Sequence, residues 1–250
     1  MASGALWALP SLDAREGYYP GREHDYWLSG LFDAWRAKRS CLALAPQFGR
    51  GPRVVDLGAA SGRVARHVPR VFETRECWAI DIDQRHIDWI STHLGGAGVR
   101  AVQIPPRPSL PLASGSVDLV TAFSVFTHID SFETAWIAEI ERVLSPGGVA
   151  YLSIHSERTW QDLNPEWALW SALLDRPAWS VHGKATRDLF ASPMPAPRVS
   201  FTWQDHGDYR ANVFYSTDYI THAWGSILPV KSILPREHDY QDVVVMQKKS

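Results

Sequence analysis

Residues Val54 to His67 read VVDLGAASGRVARH, and this stretch decides the fold. A short apolar run ends in Asp56, and a small-residue turn follows, Gly58-Ala59-Ala60-Ser61-Gly62. A helical pattern comes next, with Val64, Ala65 and Val68 apolar and Arg63, Arg66 and His67 polar. The expectation is a strand feeding a helix through a turn that excludes bulky side chains. Glycine in such a turn lets the backbone approach a ligand, and a helix N-terminus offers free N–H groups to an anion. Nucleotide-binding turns of doubly wound sheets are built this way.

The spacing is D-x-G-x-x-x-G, with Ala60 where the dinucleotide fingerprint G-x-G-x-x-G places its second glycine. Cys77 to Asp83, CWAIDID, reads as a second strand ending in acids, and Asp81 lies where a carboxylate accepts both hydroxyls of a ribose. Here the chain resembles the class I S-adenosylmethionine-dependent methyltransferases, whose first motif has this form. The resemblance extends through Leu110-Pro111-Leu112 with Ser116 to Val120, Ser124 to His128, and Arg142 to Gly148, and more loosely to Gln241 to Val245. It covers about residues 50 to 155 well.

The resemblance implies a Rossmann-like α/β fold: a doubly wound, mostly parallel seven-stranded sheet with an antiparallel last strand. It implies S-adenosylmethionine as cofactor, with Asp56 and the turn Gly58, Ala59, Ala60, Ser61 and Gly62 holding the methionine moiety. Asp81 would take the ribose, Ile82 would pack on the adenine, and Ser124 and Val125 would follow the fourth strand beside the cofactor. Relatives often place an acid after the third strand for the adenine amino group. This chain has Val102-Gln103-Ile104-Pro105-Pro106, so Gln103 or the backbone near Ile104 must substitute. Asp56 has a competing reading as a brace for the turn, Asp83 as the N-cap of the next helix, and Ile82 as plain core.

Outward from this centre, strands are expected at about Arg53–Leu57, Glu76–Asp81, Val99–Ile104, Val117–Phe123 and Val149–Ile154. Helices are expected after Gly62, from Gln84 to Leu94 and from Phe132 to Leu144, with Pro146-Gly147-Gly148 as a stop. This alternation implies right-handed crossovers and helices on both faces. Residues 1–50 read as an N-terminal helical lid, with a helix from Leu28 to Leu44 burying Leu31, Phe32, Trp35, Leu42 and Leu44. Residues 51–155 form the core, 156–215 a cap insertion and 216–250 the completion of the sheet. The cap pattern comprises a helix from Glu166 to Leu174 and a hairpin of Phe201–Asp205 with Tyr209–Tyr215. Ser216 or Thr217 then caps a helix through Trp224, and Ile227–Leu234 and Asp242–Gln247 finish the sheet.

The chain has 250 residues, 45% hydrophobic and 21% charged, with net charge −2 and no basic run. That balance fits a globular protein and argues against a nucleic-acid or anionic-membrane surface. Cys41 and Cys77 lack metal-ligand spacing, and no compact His, Asp and Glu set suggests a metal. The first residues lack the basic and apolar pattern of a signal peptide, so a cytoplasmic protein, monomer or homodimer, is expected. The pentapeptide Arg-Glu-His-Asp-Tyr occurs at 22–26 and 236–240, read as coincidence, with both His-Asp pairs solvated.

For an alcohol or phenol acceptor the reaction needs a base, and histidine suits it. His155 follows strand five and His128 follows strand four; each has a competing reading as a backbone cap. His182, His206 and His222 fall in or near the cap and read as surface or shape residues. Of 12 tryptophans, Trp160, Trp167, Trp170, Trp179 and Trp203 cluster in the cap. They suit a pocket for a flat or sugar-like acceptor, and equally a small core. Tyr26, Trp160, Trp203 and Tyr215 are the candidate substrate contacts. The expected function is methyl transfer to an oxygen of a small sugar, phenol or secondary metabolite. Nitrogen methylation and a non-catalytic cofactor-binding partner or sensor are the alternatives, and a nicotinamide oxidoreductase is disfavoured by the missing fingerprint.

Overall fold

The computed structural model describes residues 7–16, 18–46, 51–203 and 209–250. The N-terminal helix α1 spans Glu23–Leu44. The core then alternates: β1 (Arg53–Leu57), α2 (Val68–Val71), β2 (Glu76–Asp81), α3 (Gln84–Leu94), β3 (Val99–Gln103), β4 (Val117–Ala122), α4 (Glu133–Val143) and β5 (Leu144–Ser156). After the short helices α5 (Glu157–Gln161) and α6 (Ala168–Trp170) come β6 (Trp179–Ser180), β7 (Gly183–Lys184), α7 (Arg187–Phe190), β8 (Arg198–Thr202) and β9 (Ala211–Tyr215). Helix α8 (Thr217–Tyr219) leads to β10 (Val230–His238) and β11 (Gln241–Gln247).

The strand order is β3-β2-β1-β4-β5, all parallel, with β11 antiparallel on β5 and β10 antiparallel on β11. These are the seven strands that the resemblance implied. Strand β5 serves two sheets: Val149 to Ile154 pair with β11, while His155 and Ser156 pair in parallel with Phe214 and Tyr215 of β9. Strands β9, β8, β6 and β7 continue from there.

The period-two alternation of strand side chains divides the core. Val55, Val244 and Met246 enter one buried layer with Trp136, Ile137, Ile140 and Trp224, while Val54, Val243 and Val245 enter the opposite layer with Ala34, Ala37 and Cys41. Burying a side chain of this size contributes about 1.5–3 kcal/mol. A third cluster, Trp160, Leu169, Leu173, Phe190, Val199, Phe201 and Phe214, lies under β8 and β9. Strand carboxyl ends gather Gly58, Ile82, Phe123 and His155 on one side of the sheet.

Several sequence expectations shift. The segment after Gly62 runs through successive turns, and helix α2 begins only at Val68, with Pro69 in its first turn. Arg63, Arg66 and His67, the polar positions of that pattern, are buried: Arg63 pairs with Asp33 and His67 with Trp27 O, both on α1, while Arg66 donates to the carbonyls of Gly62, Ser61 and Ala8. Helix α1 buries Tyr26, Gly30, Asp33, Ala34, Ala37 and Cys41, leaving Phe32 and Trp35 exposed. The reason is close approach: a Cβ on Gly30 would meet the Arg63 carbonyl oxygen at 1.9 Å. Pro146-Gly147-Gly148 lies within the span of β5, because Gly147 N–H donates to Lys248 O and Lys248 N–H to Gly148 O. The expected helix from Glu166 to Leu174 begins at Ala168 and continues as a π-helix over Ser171–Asp175. Ser216 is the cap of the α8 helix, its side chain accepting from Tyr219 N–H at 3.1 Å. The turn of the β8–β9 hairpin and His206 lie outside the described residues.

Candidate active site

A cavity of about 1110 Å³ opens where the carboxyl ends of β1, β2, β4 and β5 meet the N-terminal segment and the β8–β9 region. One wall is the turn after β1. Gly58 has φ +66°, and a Cβ there would lie 2.3 Å from Val125 Cγ2, so only glycine fits. Gly58 N–H and Ala59 N–H both donate to Ile80 O, locking the turn onto β2. The Asp81 carboxylate accepts Ala60 N–H at 2.8 Å and Asp83 N–H at 2.9 Å, one on each oxygen. A carboxylate offers about four lone-pair sites, so acceptor capacity remains for a diol. Burial pushes the Asp81 carboxyl above its ordinary value, and these two amides pull it back.

Of the residues read from the sequence, Gly58, Ala60, Asp81, Ile82, Ile104, Ser124, Val125, His128 and His155 line the cavity together. Ile82 is a large apolar side chain left 41% exposed on the cavity wall. Others lie behind the lining. Asp56 is buried beneath the turn; burial pushes its carboxyl up to about 7, and Thr121 Oγ1 donates to it at 2.8 Å. That geometry favours the brace reading for Asp56. Ser61 Oγ donates to Ala14 O, and a Cβ on Gly62 would press on Leu94. Gln103 spends its amide on the Ile82 and Ile104 carbonyls.

Tyr26, Trp160, Trp203 and Tyr215 also fall outside the lining. Tyr26 is bonded to Ser61 Oγ at 3.0 Å. Trp160 lies in the third hydrophobic cluster and donates to Ser192 O, Trp203 packs against that cluster and donates to Ala172 O, and Tyr215 Oη donates to Phe126 O. Trp167 does reach the cavity, stacked on Tyr240 with centroids 4.8 Å apart.

The histidines differ in setting. His128 Nδ1 lies 2.7 Å from Ala211 O. A carbonyl only accepts, so Nδ1 carries the proton and Nε2 the lone pair. His155 is 2% exposed, packed near the Phe214 and Tyr240 rings, and its Nδ1 has no partner among the described residues. Burial holds His155 well below and His128 below the ordinary histidine value, so both are neutral bases at pH 7.

A polar network missed by sequence reading closes the opposite wall. Asp33 meets Arg63 at 2.6 Å and His238 Nδ1 at 3.1 Å. Tyr18 Oη bonds Ser124 Oγ at 2.5 Å and His238 Nε2 at 3.1 Å, and Gln241 Nε2 donates to Ser124 Oγ at 2.8 Å. His238, expected in solvent, is 5% exposed because its partners come from α1 and the N-terminal segment. Glu16 bonds His86 Nε2 at 2.9 Å across the same rim. Among the described residues no group of three or more His, Cys, Asp or Glu side chains is placed to hold a metal ion. No helix among them is long and apolar enough to cross a membrane.

Residues 55–152 match the family described as a methyltransferase domain. A malonyl-[acyl-carrier protein] O-methyltransferase of Methylococcus capsulatus is 34% identical over 115 residues, covering 46% of this chain and 42% of that protein. The protein of the same description from Hahella chejuensis is 30% identical over 115 residues, covering 46% and 40%. The matched stretch thus spans less than half the length of these curated relatives. Among solved structures, a 1,6-didemethyltoxoflavin-N1-methyltransferase from Burkholderia thailandensis, with S-adenosylhomocysteine bound, aligns with a TM-score of 0.56 at 15% identity, over 95% of this chain and 86% of that one. A putative S-adenosylmethionine-dependent methyltransferase from Listeria monocytogenes aligns with a TM-score of 0.58 at 13% identity, over 86% and 99%. At such identities the likeness is one of fold.

Proposed function

We propose that this chain, whose residues 55–152 belong to the class I S-adenosylmethionine-dependent methyltransferases, methylates an oxygen of a small molecule. The carrying observation is that His128 and His155, two neutral imidazoles, line the same cavity as the Asp81 turn. When bound, S-adenosylmethionine supplies an electrophilic methyl on a sulfonium centre. Asp81 has acceptor capacity for the ribose hydroxyls, Ile82 and Ile104 offer apolar surface to the adenine, and Gly58 and Ala60 keep the turn open. In the proposed transfer the acceptor oxygen would gain the methyl group, S-adenosylhomocysteine would be released, and the acceptor's proton would go to a nitrogen of His128 or His155. Much of the rate then comes from holding the reacting atoms in line.

In this reading residues 156–215 cap the core 51–155, the described part of 1–50 forms a lid, and 216–250 complete the sheet. The two curated relatives are named as O-methyltransferases, which supports oxygen as the acceptor atom; their named acceptor carries a carboxylate, whereas the neutral histidines here favour a hydroxyl. The test is turnover with S-adenosylmethionine against a panel of small alcohols and phenols, comparing the parent with His155→Ala and His128→Ala. Production of S-adenosylhomocysteine that depends on acceptor and on a histidine supports the reading. Turnover on amines alone, or turnover indifferent to both histidines, contradicts it.

A further inference from the structure

Buried polar side chains are almost always hydrogen-bonded, so unpaired ones concentrated in a cavity call for a ligand. Among the described residues, the buried and unpaired atoms include Thr127 Oγ1, His155 Nδ1 and Asn212 Nδ2, and all three residues line the cavity. Their exposures are 0%, 2% and 3%. They come from three elements that the backbone ties together. Val213 N–H donates to Thr127 O at 2.8 Å, Ala211 O receives His128 Nδ1, and His155 pairs with Phe214 across β5 and β9. Asn212 sits between the two bonded residues of β9.

We propose that Thr127, His155 and Asn212 form an acceptor subsite that takes a neutral hydroxyl, of an alcohol or phenol, and selects against a carboxylate. This rests on the methyltransferase reading and deepens it. Asn212 Nδ2 can only donate, and Thr127 can donate or accept. His155 Nδ1 is unpartnered, and the Val213 backbone raises the imidazole, as an acceptor for the other ring N–H does, so in the proposed tautomer Nδ1 presents its lone pair. A hydroxyl can satisfy all three: its oxygen accepts from Asn212 Nδ2 and from Thr127 Oγ1, and its hydrogen goes to His155 Nδ1. A carboxylate has no hydrogen to offer and would set its own lone pairs against that nitrogen. None of the three side chains carries charge at neutral pH to compensate a buried anion. The Tyr240 and Trp167 rings, which line the cavity and stack on each other, give the hydroxyl-bearing ligand flat surfaces.

The proposal has a signature that a structural role would not give. Replacing a buried unpaired polar group by an isosteric apolar one removes a desolvation penalty. Asn212→Leu and Thr127→Val should therefore leave the melting temperature of the ligand-free protein unchanged or higher. Calorimetry of the full chain, first with S-adenosylhomocysteine and then, on the loaded protein, with 2-naphthol and 2-naphthoate, supplies the binding test. The parent is expected to prefer 2-naphthol by roughly tenfold or more, and Asn212→Leu to weaken 2-naphthol by roughly tenfold without changing S-adenosylhomocysteine affinity. Equal or tighter binding of 2-naphthoate overturns the proposal. So does failure of the loaded protein to bind either probe, or variants that lower the melting temperature with 2-naphthol affinity unchanged. Failure of S-adenosylhomocysteine itself to bind overturns the methyltransferase reading, and the subsite with it.

Discussion

The Asp33 carboxylate and the Arg63 guanidinium meet at 2.6 Å with side-chain exposures of 3% and 6%, joining α1 to the turn segment that follows β1. His238 from β10 is the third member at 3.1 Å, and the Arg63 guanidinium also lies over the Tyr18 ring at 4.4 Å. Burial alone would raise Asp33, but His238 and Arg63 outweigh it and hold the carboxyl well below the ordinary 3.8. Removing one partner strands a buried charge. Asp33→Ala is expected to destabilise the protein by about 3–5 kcal/mol in denaturant unfolding. Because the folded value is depressed, this contribution is present above pH 3.8 and is lost as pH falls through the folded value. A loss below about 1 kcal/mol, the range of exposed pairs, would mean that the pair does not organise the wall.

Asp81→Ala is expected to weaken S-adenosylhomocysteine binding by about 1.5–3 kcal/mol, the scale of hydrogen bonds to a charged group. It should also lower the melting temperature, since Ala60 N–H and Asp83 N–H lose their acceptor. Calorimetric titration and thermal melts separate the two effects. Undiminished affinity would remove Asp81 from the ribose site.

His155→Ala is expected to lower turnover by about 10²–10⁴-fold, the usual contribution of a positioned general base, with cofactor affinity unchanged. Burial keeps both His155 and His128 below 6.5, so the rate should be flat through neutral pH and fall only in acid. Stability should fall on the same side: His67 is held down to about 3 by burial and by Arg66, so unfolding takes up protons below pH 6.5. A rate that halves between pH 8 and pH 6.5 would contradict neutral bases of this kind.

The Glu16–His86 bond makes the rim sensitive to pH. Burial disfavours charge on His86, but the Glu16 bond and the Asp81 charge outweigh it and raise the imidazole above 6.5. The raised value means that its contribution is fully present below pH 6.5 and is lost as pH rises through the folded value. An NMR titration should find His86 above 6.5 in the parent and lower in Glu16→Gln. A titration unmoved by that change would show that the contact does not persist in solution.

Strands β1 and β2 and helix α3 fall at the bounds expected from their apolar runs and from the Asp83 cap, because each is specified by its own residues. What was hidden depends on partners distant in sequence. The buried side of α1 is marked by Gly30, Ala34 and Ala37 instead of Phe32 and Trp35, and only the close approach of the Arg63 carbonyl explains why. His238 read as solvated because nothing nearby announces Asp33 or Tyr18. Thr127 lies in the Ser124 to His128 stretch without an expected role of its own, Asn212 belongs to no motif, and only the folding of β9 against the end of β5 makes them neighbours of His155. The cap tryptophans were legible as a cluster, yet the cluster could not say that Trp160 packs inward while Trp167 lines the cavity.

The most direct test is calorimetric titration of the protein with S-adenosylhomocysteine beside NAD and NADP. Micromolar binding of S-adenosylhomocysteine alone is expected. Binding of a nicotinamide cofactor instead, or of none of the three, would contradict it.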